Sequence, residues 1–103
     1  MAQMQKNVIY VGNKPPIVYA ASVQTQAASG EKEIHIKARG RATSRAIDVS
    51  QLTINRFLPD WEVVDVKIGT EEREFERENR DTKEMEKVKV NVSTLDITMK
   101  KKK

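Results

Sequence analysis

Apolar and polar residues alternate without a break from Glu33 to Arg39. Ile34, Ile36 and Ala38 point one way and His35, Lys37 and Arg39 the other, which predicts a half-buried strand with a basic open face. Gly40 ends it. Asn7 to Val11 is β-branched or aromatic on both parities and reads as an interior strand, broken by Gly12-Asn13. Pro15-Pro16 suits the start of a helix, whose first turn leaves its N–H groups unused. The helix predicted over Ile17 to Ser29 places Ile17, Ala20, Ala21, Gln24, Ala27 and Ala28 on one side, with Gly30 as its C-terminal cap. After Gly40, Thr43 or Ser44 can cap a second helix reaching about Phe57. Its apolar stripe is Ala46, Ile47, Val49, Leu52, Ile54 and Phe57, and Leu58-Pro59 stops it.

Two more strands follow. Trp61 to Ile68 carries Val64, Val66 and Ile68 on one face, and Gly69 punctuates it. Val88 to Met99 changes parity midway: Val88, Val90 and Val92 are even, whereas Leu95, Ile97 and Met99 are odd. Either a bulge near Ser93-Thr94 or an outer half that buries a different face would produce that change. The segment between, Thr70 to Lys87, is acidic. Glu76 and Arg80 have helical spacing, but only Phe75 and Met85 could anchor a helix there, so an exposed hairpin arm is expected. The order β-α-β-α-β-β predicts an α+β fold, a two-layer sandwich closed by an antiparallel hairpin with a long β3–β4 arm. One domain is expected over residues 1–103, with the arm at 70–87 and a basic tail at 100–103.

Composition narrows the chemistry. The chain has 103 residues, enough for one core, and 38% hydrophobic residues with 5% aromatics make that core thin, so burial against a partner or oligomerisation is expected. It has no cysteine and one histidine, which excludes disulfides, thiolate metal sites and a multi-histidine site. No apolar run is long enough to span a bilayer, and Met1 to Lys6 lacks a signal-peptide pattern, so no membrane association and a soluble cytoplasmic protein are expected. The net charge is +4 and unevenly spread. Lys37 to Arg56 holds five bases and one acid, Glu71 to Lys87 holds eight acids and five bases, and the chain ends in four lysines.

No catalytic constellation emerges. His35 lies mid-strand, and no serine occupies a Gly-x-Ser-x-Gly turn. Gly12-Asn13-Lys14 echoes the end of a phosphate loop, but the earlier glycine and the following Ser/Thr are missing, and Pro15 and Pro16 remove two N–H donors. The protein is expected to be no enzyme and to use no cofactor or metal. Nucleic-acid binding fits better. Lys37, Arg39, Arg41 and Arg45 run from a strand's polar face through Gly40 into a helix start, where arginine forks and unused backbone N–H groups suit phosphate oxygens. The plain alternative is a solvated basic face, and His35 reads most simply as a surface residue.

The string Lys37-Ala38-Arg39-Gly40-Arg41-Ala42, then Ala46-Ile47-Asp48 and Asn55-Arg56-Phe57-Leu58-Pro59, resembles the Alba family of archaeal chromatin proteins. Asn7-Val8 through Gly12, with Lys14-Pro15, is similar to that family's first strand and its Gly-Lys-Lys-Pro turn. Val92-Ser93-Thr94-Leu95-Asp96-Ile97 is similar to its last strand. The resemblance implies a fold like the C-terminal domain of the third bacterial translation initiation factor, a homodimer, and binding of double-stranded DNA and of RNA with little sequence preference. Dimers would organise chromosomal DNA, their two arms reaching along the minor groove.

By position, Lys14, Lys37, Arg39, Gly40, Arg41 and Arg45 match the family's nucleic-acid surface, while Arg56 and Phe57 match its dimer–dimer contact on DNA. Two departures stand out. Asn13 replaces the lysine that the family acetylates, and Arg73, Arg77 and Arg80 lie among eight acids in an unusually acidic arm, which would weaken their part in binding. Two other functions fit the sequence: an RNA-binding protein of RNA processing or translation, and a scaffold docking a basic partner on the acidic arm.

Overall fold

The computed structural model of the chain describes residues 7–102, so the reading of Met1 to Lys6 and the last residue of the lysine run lie outside it. Its elements are β1 (Val8–Tyr10), α1 (Pro16–Ala28), β2 (Glu33–Arg39), α2 (Ala42–Leu52), a π-helical turn (Thr53–Phe57), β3 (Trp61–Glu78) and β4 (Met85–Lys101). They form one mixed sheet in the order β1-β2-β4-β3, with β1 parallel to β2 and the other pairs antiparallel. The fold class is α+β, as the order of apolar patterns implied.

The β2 alternation is realised residue for residue. Ile34 and Ile36 are fully buried and Ala38 nearly so. They stand opposite Met99, Ile97 and Leu95 of β4. Val23 of α1 and Ala46 and Val49 of α2 close the core from the helix side. Burying each of the larger side chains contributes roughly 1.5–3 kcal/mol.

Several local expectations are corrected. β1 is an edge strand, not an interior one: Ile9 and Val11 enter the core, but Tyr10 on the opposite parity is 60% exposed. In α1 the buried residues are Ala20 and Val23, with Ala27 packed behind them; Ile17 points to solvent. Pro16 opens the helix, and Gly30 at φ 104° takes the left-handed cap position. Neither Thr43 nor Ser44 caps α2. Gly40, at φ 56°, turns the chain so early that Arg41 is the capping residue, and the Thr43 hydroxyl donates to the Gly40 carbonyl at 2.9 Å. The helical segment does reach Phe57, but its last turn is π, closed by Leu58 N–H to Thr53 C=O at 2.7 Å.

The hairpin differs most. β3 does not stop at Gly69; it pairs with β4 continuously to Glu78↔Met85. The parity change in β4 needs no bulge at Ser93-Thr94, because the one register shift lies in β3 between Val63 and Asp65. β4 runs straight on past the body, so its outer valines face the side away from the helices. Asn79 organises the tip, its side-chain oxygen accepting from Asp81 N–H at 2.9 Å while its N–H bonds Glu84 C=O at 2.8 Å. The arm stretches the molecule to 60 × 28 × 21 Å. Lys100 and Lys101 are not a free tail: they complete β4, 3.3 Å from Glu33 and 3.8 Å from Asp60.

Candidate nucleic-acid interface

The candidate cations gather where β1 and β2 end and α2 begins. Lys14 lies on the exposed loop after β1, which is pinned from both helices. The Tyr19 phenol oxygen of α1 accepts the N–H groups of Gly12 at 2.9 Å and Lys14 at 3.2 Å. From α2, the Arg45 guanidinium donates to the Gly12 carbonyl at 2.7 Å. Arg45 thus fixes the loop that presents Lys14, a role its place in the basic run did not reveal.

Lys37 and Arg39 stand on the sheet face that carries no helix. Each has an acidic neighbour: Lys37 lies 3.8 Å from Asp96, and the Arg39 Nε lies 3.0 Å from Glu71 at the root of the arm. The Arg39–Glu71 pair is largely open to solvent and the Lys37–Asp96 pair half-buried; exposed pairs contribute about 0–1 kcal/mol, so an incoming phosphate can displace the Arg39 pair most readily. Gly40 donates its N–H to Ser93 C=O at 2.8 Å and passes the chain into α2. Arg41 follows at the start of that helix, exposed and beside first-turn N–H groups that no side chain caps. Among the described residues neither Lys14 nor Arg41 forms an ion pair.

Arg56 and Phe57 lie elsewhere, on the π turn at the far end of α2 from Arg41, Arg56 exposed and Phe57 half-buried. His35 is more than a surface residue. Its Nε2 lies 3.0 Å from Glu33, and its Nδ1 3.2 Å from Asp96 and 3.1 Å from Thr98. The hydrogen bond from His35 and then that from Lys100 hold the Glu33 carboxyl below its ordinary value.

Strand alternation sorts the charges of the arm. Glu72, Glu74, Glu76 and Glu78 share the helix side of the hairpin, where Lys87 approaches Glu74 at 3.7 Å and Lys89 approaches Glu72 at 3.9 Å. Arg73, Phe75 and Arg77 share the open side with Val88, Val90 and Val92. The two acids on that side, Glu71 and Glu86, are each bound to an arginine, Arg39 and Arg77 respectively. Arg80 lies in the tip. The eight acids therefore do not surround Arg73 and Arg77 as their mixing in the sequence suggested.

The sequence model of the Alba family matches residues 7–70, up to the root of the arm. A protein of Archaeoglobus fulgidus called DNA/RNA-binding protein Alba 1 is 44% identical over 99 residues, covering 96% of this chain and all of that protein; one of Methanocella arvoryzae called DNA/RNA-binding protein Alba is 42% identical over 97 residues, covering 94% of this chain and 92% of that protein. Among solved structures, Alba from Thermoplasma volcanium superposes with a TM-score of 0.74 at 33% identity, covering 92% of this chain and all of that one. ALBA1 from Trypanosoma brucei shares the fold at TM-score 0.70 and 16% identity, covering 97% of this chain and 73% of that one.

Proposed function

The chain belongs to the Alba family, and from that premise we propose that it is a homodimeric, non-enzymatic protein that binds double-stranded DNA with little sequence preference, organises chromosomal DNA in the cytoplasm, and also binds RNA. The observation that carries this reading is the pair of cations without ion-pair partners among the described residues, Lys14 and Arg41, held on a pinned loop and a helix start beside Lys37 and Arg39. Phosphate contacts from these groups release condensed counterions, and the affinity follows from that release. Among the described residues no array of side chains suited to reading base edges accompanies them, which fits weak specificity. The single nucleic-acid-binding domain would span residues 1–103.

The second copy has a surface to cover. Val66 and Ile68 stand opposite Ile97 and Leu95 on the helix side of the sheet, yet β3 lies beyond the strands on which α2 packs. Val66 is 52% exposed and Ile68 83%. Apolar residues of that size at a sheet edge fit burial against a partner. Arg56 and Phe57 on the π turn are the proposed contact between neighbouring dimers. Asn13 leaves this loop without the lysine that the family modifies, so Lys14 is its only cationic side chain.

The test is a salt titration of binding to random-sequence duplex DNA by the wild type and Arg41→Glu. The substitution exchanges a positive for a negative charge. It is expected to weaken binding and to flatten the plot of log K against log salt by roughly two counterion terms per protomer engaged. An unchanged slope would remove Arg41 and its neighbours from the interface.

A further inference from the structure

The chain has five aromatic residues. Trp61 is buried, Phe57 is half-buried, and Tyr19 is spent on the Lys14 loop. Only Tyr10 and Phe75 are largely exposed, at 60% and 47%, and the register puts both on the side of the sheet that no helix covers. An exposed aromatic ring forfeits burial that the thin core could have used, and two on one open face call for an explanation.

Each ring has cations beside it. Tyr10 pairs with Lys37 in β2, and that row continues through Asp96 to Lys67. These residues, with Arg39 and Glu71, form one part of an open groove of about 640 Å³ at the root of the arm, whose other wall is Ala42, Ile68 and Leu95 from the helix side. Phe75 lies between Arg73 and Arg77 on the same face, and Arg73 makes no ion pair among the described residues. Rings standing on an uncovered sheet, interleaved with cations, match what unpaired nucleotides need: a flat apolar surface for each base and a positive charge for each phosphate. A paired duplex hides its base faces in the stack and cannot use such rings without being opened.

We infer that the open sheet face is a second nucleic-acid site, for unpaired nucleotides of single-stranded or looped segments, with Tyr10 and Phe75 as base-stacking platforms and Lys37, Lys67 and Arg73 holding the phosphates. This rests on the nucleic-acid reading above, but it adds a second polymer state on the open face, where Lys37 is shared with the duplex site and Tyr10 and Phe75 are not. Lys14 and Arg41 serve duplex phosphates at the rim; Tyr10 and Phe75 serve bases.

The experiment measures binding of the full chain to fluorescein-labelled oligouridine, to an abasic oligomer of equal length, and to random duplex DNA. Tyr10→Ala and Phe75→Ala should each weaken oligouridine binding roughly tenfold, leave the salt slope unchanged because no phosphate contact is removed, and leave duplex binding unchanged. Tyr10→Phe, which keeps the ring, should bind oligouridine like the wild type. The wild type should prefer oligouridine over the abasic oligomer, and the alanine variants should lose that preference. Duplex binding together with no loss of oligouridine binding in either alanine variant, or with no preference over the abasic oligomer, overturns the platform and leaves the duplex site standing. Failure of the wild type to bind either polymer in dilute buffer overturns both.

Discussion

Glu33 shows how a single side chain on the open face reports the pairing of β2 and β4. His35 and Lys100 hydrogen-bond its carboxylate, which lowers its affinity for a proton in the folded state. The unfolded chain keeps the ordinary value, about 4.5, so between the two values the unfolded state binds more protons. The resulting stabilisation is present at neutral pH and is lost as pH falls through the lowered value. Thermal midpoints of the wild type and Glu33→Gln, measured across acidic pH, should therefore differ modestly above the ordinary glutamate value and converge only as pH falls through the lowered one, with the wild type the more stable. A constant gap at every pH would mean that these hydrogen bonds do not act through the carboxylate's charge. At this scale the sequence was most readable where burial alone decides: alternation placed Lys37 and Arg39 on the open face. It could not show that Arg45 turns back to Gly12, 33 positions away, or that Tyr19 holds Lys14, because only the fold brings these partners together.

Strands and helices were legible wherever one face is buried, and their ends were not. Glu33–Arg39 came out residue for residue because one side packs on helices and the other meets solvent. The outer half of β3 was hidden because neither of its faces enters the core, so its pattern of Glu and Arg carries no burial signal. Its order comes from the ladder with β4. The parity change in β4, ambiguous in sequence, records the point where the strand leaves the body and its apolar residues change sides. The start of α2 was misplaced for a related reason: a left-handed Gly40 determines where the helix begins, and cap propensities for Thr43 and Ser44 cannot see it. The acidic stretch, alarming as a string of letters, resolves once the two-residue period is applied across a hairpin, with four glutamates on one side and Arg73, Phe75 and Arg77 on the other.

At the scale of the whole molecule, the body and the 60 Å length set by the arm leave Val66 and Ile68 open at the edge of the sheet. If a second copy covers them, Ile68→Asp buries an unpaired charge in that contact and should convert the dimer to a monomer in light scattering, with duplex affinity falling as the paired site is lost. A dimer that persists in Ile68→Asp would move the contact to another surface. In the proposed dimer Lys14 and Arg41 would be presented twice and would grip phosphates by ion release. The most direct measurement is the affinity of the wild type for random-sequence duplex DNA as salt is raised. Four such cations in a dimer predict that log K falls with log salt with a slope of roughly −3 to −4, or steeper where Lys37 and Arg39 join them. A slope near zero, or no binding in dilute salt, would contradict it.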